Sequence, residues 1–394
     1  MISEILNKEV QEFINKNLKQ DIAKLAFQKN PFLAIDFAVI LNQISAKSKA
    51  ENKLPTWFKT DGIIYPSKIS VEQTSSEKTA TYKSEIISGE TLIDLTGGFG
   101  VDDFYFSKKF KSVVHCEMNY ELSDSVNHNF QQLKAENIKC FAGDSFEILK
   151  NLNRKFDWIY IDPSRRSDVK GKVFMLKDCL PNVPELLENY FKYSKNILIK
   201  TAPILDISAG LIELSNVKTI HIVALENEVK ELLWEVKKDY SGAIQIKAIN
   251  ILKDKIEEFN IDLSQEYYAN FSLPKKYIYE PNSSIMKSGA FDAVSSLFEI
   301  DKLHANSHLY TSDEVADFPG RTFEVEQIIP YAKSEMKNFL QNKKANITTR
   351  NFPESVENIR KKWKISDGGN LYCFFTTDLN NNKIVLLCTK IKSE

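Results

Sequence analysis

TLIDLTGGFGVDD, residues 91–103, runs from a short apolar stretch into a knot of glycines and then into two acids. The run 91–96 has the length and β-branched content of a buried strand. Gly97, Gly98 and Gly100 let the following loop turn sharply and bring backbone N–H groups close to a ligand. Downstream, short β-rich runs recur at helix-length spacing: SVVHCEM (112–118), IKCFAGD (138–144), WIYID (158–162), NILIKTA (196–202) and TIHIVAL (219–225). That rhythm predicts βαβ units around a parallel sheet. VKELLWEV (229–236) and AIQIKAINIL (243–252) read as further strands.

Glycine loops after a first strand serve dinucleotides or S-adenosylmethionine. A dinucleotide loop has the pattern GxGxxG with pyrophosphate over the helix N-terminus. Here Asp103 stands where the third glycine belongs, Asp94 precedes the loop and Asp102 follows it. Three carboxylates repel a pyrophosphate and suit a ligand carrying a sulfonium and an ammonium group. Glu117, at the end of the second strand, is placed to accept hydrogen bonds from ribose hydroxyls. Asp144-Ser145, at the end of the third, can bind an adenine amino group. Each of these acids alone is an ordinary turn or surface residue. Acids at the ends of three successive strands point to one ligand on the carboxyl edge of the sheet.

The fourth strand ends in Asp162-Pro163-Ser164-Arg165-Arg166. An acid followed by a rigid proline fixes a carboxylate at the carboxyl end of the strand. Arginine planes stack on bases and fork onto phosphates, so Arg165 and Arg166 are candidates to hold RNA near Asp162. The plainer reading is that they pair with Asp102, Asp103 or Asp168 and fix the loop. Lys200, Asp206, Asn227, Glu228 and Lys230 add polar groups on later strands of the predicted sheet.

Elsewhere, 3–28 and 32–44 carry apolar residues at helical spacing and predict an N-terminal helical region. Thr74 and Glu77 fit a capping box, and Gly89 marks a helix stop. The helix at 73–88 is placed to cover the ligand through Gln73, Ser76, Thr79 or Tyr82. FEVEQIIP (323–330) and ANITTRNF (345–352) read as strands and ESVENIRKKW (354–363) as a helix. LYCFFTT (371–377) and KIVLLCT (383–389) read as a hairpin.

Composition narrows the class. The 394 residues carry a net charge of −1, so no overall basic field draws the chain to nucleic acid. Residues 321–394 hold 13 Lys and Arg against 8 Asp and Glu, a local surplus that can meet phosphates. Five scattered cysteines form no CxxC pair, which argues against a disulfide framework or a zinc site. His304 and His308 sit at i,i+4 without a third ligand in view, so no metal is expected. No apolar run approaches a membrane span and no signal-peptide layout is present, so a cytoplasmic location without membrane attachment is expected.

On QTSSEKTATYK (73–83), DLTGGFGVD (94–102), YIDPSRR (160–166), KTAPILDI (200–207), ENEVKELL (226–233), YEPNSSIMKSG (279–289) and FPGRTFEV (318–325), the chain resembles class I S-adenosylmethionine-dependent methyltransferases. More narrowly, it resembles a bacterial family with a THUMP-like C-terminal domain. Thr96 replaces the usual first glycine of the motif. The resemblance implies a Rossmann-like α/β parallel sheet with an N-terminal helical region and a C-terminal ferredoxin-like/THUMP-like α+β module. The domains expected are 1–85, helical; 86–255, methyltransferase; 256–320, ferredoxin-like; and 321–394, THUMP-like. Asp94, Thr96, Gly97, Gly98, Gly100, Asp102, Glu117, Asp144, Ser145 and Asp162 are the expected S-adenosylmethionine residues. Asp162, Pro163, Arg165, Arg166 and Lys200 are the expected catalytic ones. The expected activity is in-line methylation of tRNA or rRNA. The alternatives are a protein or small-molecule acceptor, and a non-catalytic RNA-binding protein with a vestigial pocket.

Overall fold

The structure, a computed structural model, describes residues 2–165 and 175–391. The chain divides into two compact units, Met1–Thr219 with Leu232–Gly242, and Ile220–Glu231 with Ala243–Glu394.

The first unit is built on five parallel strands. These are β1 (Thr91–Asp94), β2 (Ser112–Glu117), β3 (Ile138–Ala142), β4 (Trp158–Ile161) and, after a short antiparallel ribbon of β5 (Ser164–Arg165) and β6 (Cys179–Leu180), β7 (Asn196–Thr201). Their spatial order is β7-β4-β1-β2-β3. Leu92, Ile93, Val113, Val114, Ile159, Ile161 and Ile197 to Ile199 are fully buried, as strands sandwiched between helix layers require. β8 (Val217–Leu225) and β9 (Glu228–Lys237) follow, and Leu232 to Lys237 of β9 pair antiparallel with β7. The chain runs from β1 outward to β3 and then returns to the other side of β1 at β4. That reversal creates a crevice at the carboxyl ends of β1 and β4, where open α/β sheets bind ligands.

The N-terminal segment is helical but more broken than its periodicity suggests. In place of one helix over 3–28 there are three: Ile2–Ile5, Lys8–Lys16 and Ile22–Ala26. Asn7 and Asp21 restart the helix by accepting the N–H groups of Glu9 and Ala23. Asp36 caps the next helix, Phe37–Lys53, so the stretch 32–36 stays outside it. Ser76, not Thr74, caps the helix Glu77–Ile86. Asn129, on the helix Tyr120–Gln132, clamps Ile64 through both its N–H (2.8 Å) and its carbonyl (2.8 Å), which anchors the N-terminal region to the sheet layer.

The second unit contains the antiparallel pair β10 (Gln245–Ile251) and β11 (Ile256–Asp262). Its seven-stranded sheet comprises β12 (Tyr277–Pro281), β13 (Asp301–Lys302), β14 (Tyr310–Ser312), β15 (Gly320–Pro330), β16 (Asn346–Arg350), β17 (Leu371–Thr377) and β18 (Lys383–Lys390). The order is β13-β14-β12-β15-β18-β17-β16, with β17 and β18 forming the predicted hairpin. Ile329, Met336, Ile359, Phe375 and Val385 pack one apolar cluster; Ile278, Leu309, Phe323, Phe374 and Leu386 pack another. No helix among the described residues is long and apolar enough to cross a membrane.

Candidate active site

The loop after β1 is held from three sides. Asp94 accepts the Thr96 N–H (2.7 Å) and hydroxyl (3.0 Å). The Thr96 hydroxyl in turn accepts the Asp162 N–H at 2.6 Å, so this side chain ties the end of β1 to the end of β4. A glycine at 96 has no such tie to offer, which accounts for threonine there. The Gly97 N–H donates to the Cys116 carbonyl (2.8 Å) and the Gly98 N–H to the Glu117 carboxylate (3.0 Å). Gly98 and Gly100 have φ of +54° and +75°, values that favour glycine. A Cβ at Gly97 would lie 2.1 Å from the His115 ring, so the loop rests directly on that imidazole.

The acids around the loop fall into two groups. Glu117, Asp144 and Asp162 reach the surface. Glu117 accepts Gly98 N–H on one oxygen and Asn119 N–H (2.8 Å) on the other, which leaves each oxygen a further lone pair. Asp144 caps the helix Ser145–Leu152 through the Glu147 N–H at 2.9 Å and is exposed. The Asp162 carboxylate forms an ion pair with Lys200 at the end of β7. Its side chain remains 38% exposed, so a substrate can still reach it.

Asp94, Asp102 and Asp103 turn inward, which corrects the expectation that they line the pocket. Asp102 accepts from Tyr160 (2.7 Å) and Ser75 (3.0 Å) and pairs with fully buried Lys83 at 3.2 Å. Burial pushes its carboxyl up, but Lys83, Lys200, Tyr160 and Ser75 outweigh that and hold it below the ordinary range. The cation that Asp102 was expected to meet is thus supplied by the chain itself. Asp103 faces His115 Nδ1 at 2.6 Å, both side chains without exposure. Burial, with the Asp102 charge beside it, pushes the Asp103 carboxyl well up. Burial and Asp103 do the same to Asp94, and burial pushes the His115 imidazole down.

Family models match residues 277–319 as a ferredoxin-like domain and 320–390 as a THUMP domain-like segment. A crystal structure from Porphyromonas gingivalis W83, designated a methyltransferase, is 32% identical, covers 99% of both chains and superposes with a TM-score of 0.87. The chain belongs to that methyltransferase family. A Mycoplasma mobile protein named as an uncharacterized RNA methyltransferase is 32% identical over 84 residues, which span 21% of this chain and 23% of that relative.

In this methyltransferase, Thr96, Gly97, Gly98, Gly100, Glu117 and Asp162 converge on the crevice at the switch point. Lys200 joins them through Asp162, and Asp144 and Ser145 start the helix beyond β3. Pro163 is buried behind Asp162. Arg165 lies on the β5–β6 ribbon, its backbone paired with Cys179. Arg166 and Asp168 lie outside the described residues. Asp102 and Asp103, the other acids considered as arginine partners, are engaged by Lys83 and His115. The helix Glu77–Ile86 and the residues leading into it do meet the region after the loop, Lys83 through its ion pair with Asp102 and Ser75 through its hydroxyl.

Sequence reasoning also missed Met118 and Tyr120, which are 68% and 67% exposed just beyond Glu117 and offer apolar surface to a flat ring. The signal was present: two large side chains directly after a strand-ending acid have no core to enter. Asn227 belongs to a hydrogen-bonded group in the second unit, and Lys230 pairs with Glu228 at 2.6 Å.

Proposed function

We propose that this methyltransferase uses S-adenosylmethionine to methylate a base of tRNA or rRNA by direct in-line transfer. The observation that carries the reading is the crevice at the ends of β1 and β4. It has an open glycine backbone at its floor, Glu117 on one side and Asp162 on the other.

The residues present fit the donor. At Gly98 the nearest atom to an added Cβ is the Thr96 carbonyl at 3.7 Å, so the backbone there is open to close approach. Glu117 keeps lone pairs for ribose hydroxyls, while Met118 and Tyr120 flank it and Asp144 lies at the end of the next strand. Bound there, S-adenosylmethionine supplies a sulfonium methyl open to nucleophilic displacement. The chain's part is positioning, which can contribute most of the acceleration for a transfer that forms no covalent enzyme intermediate. Asp162 is placed to accept a proton-bearing edge of the acceptor, and Lys200 to donate to an adjacent ring nitrogen or carbonyl. Together they offer an anion and a cation to a base edge that carries one donor and one acceptor. Arg165 and Arg166 are assigned to RNA phosphate or base contact, with 1–85 and 270–394 presenting the RNA. The THUMP-like match over 320–390 and the name of the Mycoplasma relative support RNA as the substrate class.

The test is to incubate the full chain with methyl-labelled donor and RNA from a strain lacking the gene. Label in RNA is expected, and it should fall when Asp162 is replaced by Ala. Replacing both Arg165 and Arg166 by Ala should weaken RNA binding while leaving donor affinity intact. Strong protein labelling with none in RNA would overturn the substrate assignment.

A further inference from the structure

Beneath the glycine loop lies a sealed group of titratable side chains that the proposed transfer does not use. Asp94, Asp103 and His115 come from β1, the helix Val101–Ser107 and β2, and are 2%, 0% and 0% exposed. The Asp103 carboxyl faces His115 Nδ1 at 2.6 Å, and the buried Asp94 carboxyl lies near enough for the Asp103 charge to push it up. Asp103 Oδ1 and His115 Nε2 have no hydrogen-bond partner among the described residues. Two buried carboxyls facing each other cannot both stay ionised at low cost, so this contact calls for a proton.

The group is wired to the pocket floor. The His115 ring carries Gly97 directly, and Asp94 holds Thr96, whose hydroxyl holds the Asp162 backbone. Other groups facing Asp94 and Asp103 are few. Asp102, although paired with Lys83, still pushes both carboxyls up; Glu117 lies at the end of β2, and Cys116 and Cys140 are thiols whose ionisation burial suppresses, Cys140 being pushed up to about 12. A positive charge arriving above the loop therefore finds, in Asp94 and Asp103, a buried pair able to answer it by losing a proton.

We infer that Asp103 and His115 are positioning residues for the glycine loop, and that seating the cationic donor on it expels a proton from the Asp94–Asp103–His115 group. This rests on the proposed donor. Charge matching by deprotonation lets the loop rest on a group with one fewer negative charge when the pocket is open and gain a counter-charge when it is filled.

The experiment is calorimetric titration of S-adenosylmethionine and S-adenosylhomocysteine into the full chain at pH 7, in phosphate and in Tris, whose heats of ionisation differ. For the wild type, the heats in the two buffers should differ by the release of roughly half to one proton, more for the sulfonium ligand than for its product. Affinity should rise with pH across the same interval. Asp103→Asn keeps a hydrogen bond for His115 but has no proton to lose, so it should bind with the buffer difference reduced to what the ligand's own amine contributes. Because any proton exchanged by the ligand's own amine persists in Asp103→Asn, the difference between the two proteins isolates the buried group. The wild-type pH profile serves as the check if the variant does not fold. Saturable binding with identical heats in both buffers and no pH dependence overturns the proton release and leaves the donor assignment standing. Absence of any binding by folded protein removes both.

Discussion

Two polar clusters of the molecule behave in opposite ways. At the carboxyl edge of the parallel sheet, Glu117 and Asp162 keep acceptor capacity facing outward, and Asp103 and His115 keep unpartnered atoms within. In the second unit, Asn250, Glu257 and Asn282 satisfy one another. Asn250 donates to Glu257 (2.9 Å), and so does Asn282 (3.0 Å). The Asn282 carbonyl caps Ser284 and Ile285, and Asn250 accepts the Asn227 N–H at 2.9 Å. Asn227 also receives the Ser283 N–H at 2.7 Å, which joins the ENEV turn to the EPNSS helix start. Both stretches carried the family resemblance as strongly as the glycine loop did. Hydrogen-bond accounting separates them: Asn250, Glu257 and Asn282 spend their side-chain bonds on one another and on the local backbone, whereas Glu117 and Asp162 keep acceptor capacity for a ligand.

That contrast can be broken by substitution. The largest effect is expected from Lys83→Met, which leaves Asp102 buried without its cation. Stability should fall by about 3–5 kcal/mol in urea unfolding, with part recovered on adding Asp102→Asn. Asp162→Asn should leave donor affinity within a few-fold while the transfer rate drops by roughly 100-fold, as expected when a positioned proton acceptor is lost. Asn282→Ala should cost about 1–3 kcal/mol of stability and leave donor affinity unchanged, because it breaks only the saturated group. A matching loss of donor affinity there would erase the distinction.

The smallest effect is a pH dependence. The Asp102 carboxyl titrates below its unfolded value, so its contribution is present above pH ~4 and is lost as pH falls through the folded value. Asp94 and Asp103 act with the opposite sign: raised in the fold, they erode stability as pH climbs from pH ~4 toward their folded values. Acid titration of unfolding in Lys83→Met should lose the first component and keep the second.

Much of the first sheet was legible because a parallel strand buried on both faces shows in sequence as an apolar run, and β1, β2, β3, β4 and β7 all do. The edge residues were legible because motif spacing puts Thr96, Gly98, Glu117 and Asp162 at strand ends. The direction in which an acid turns was not legible. Asp102 and Asp103 are adjacent and identical, yet each is claimed by a partner distant in sequence, Lys83 on an earlier helix and His115 on β2. The breaks in the N-terminal helices were hidden for a different reason. Asn7 and Asp21 fit the apolar spacing of a longer helix, and only their cap bonds reveal the restart. The tie between Asn227 and the helix start at Ser283 was not legible, because a motif shows which residue types recur together and says nothing of whether they satisfy each other.

The most direct measurement is titration of S-adenosylhomocysteine into the wild type and Glu117→Ala. Saturable one-to-one binding is predicted for the wild type, weakened at least ~10-fold when the charge-assisted ribose contact is removed. Folded wild type that shows no binding, or a Glu117→Ala variant that binds equally well, would contradict the account.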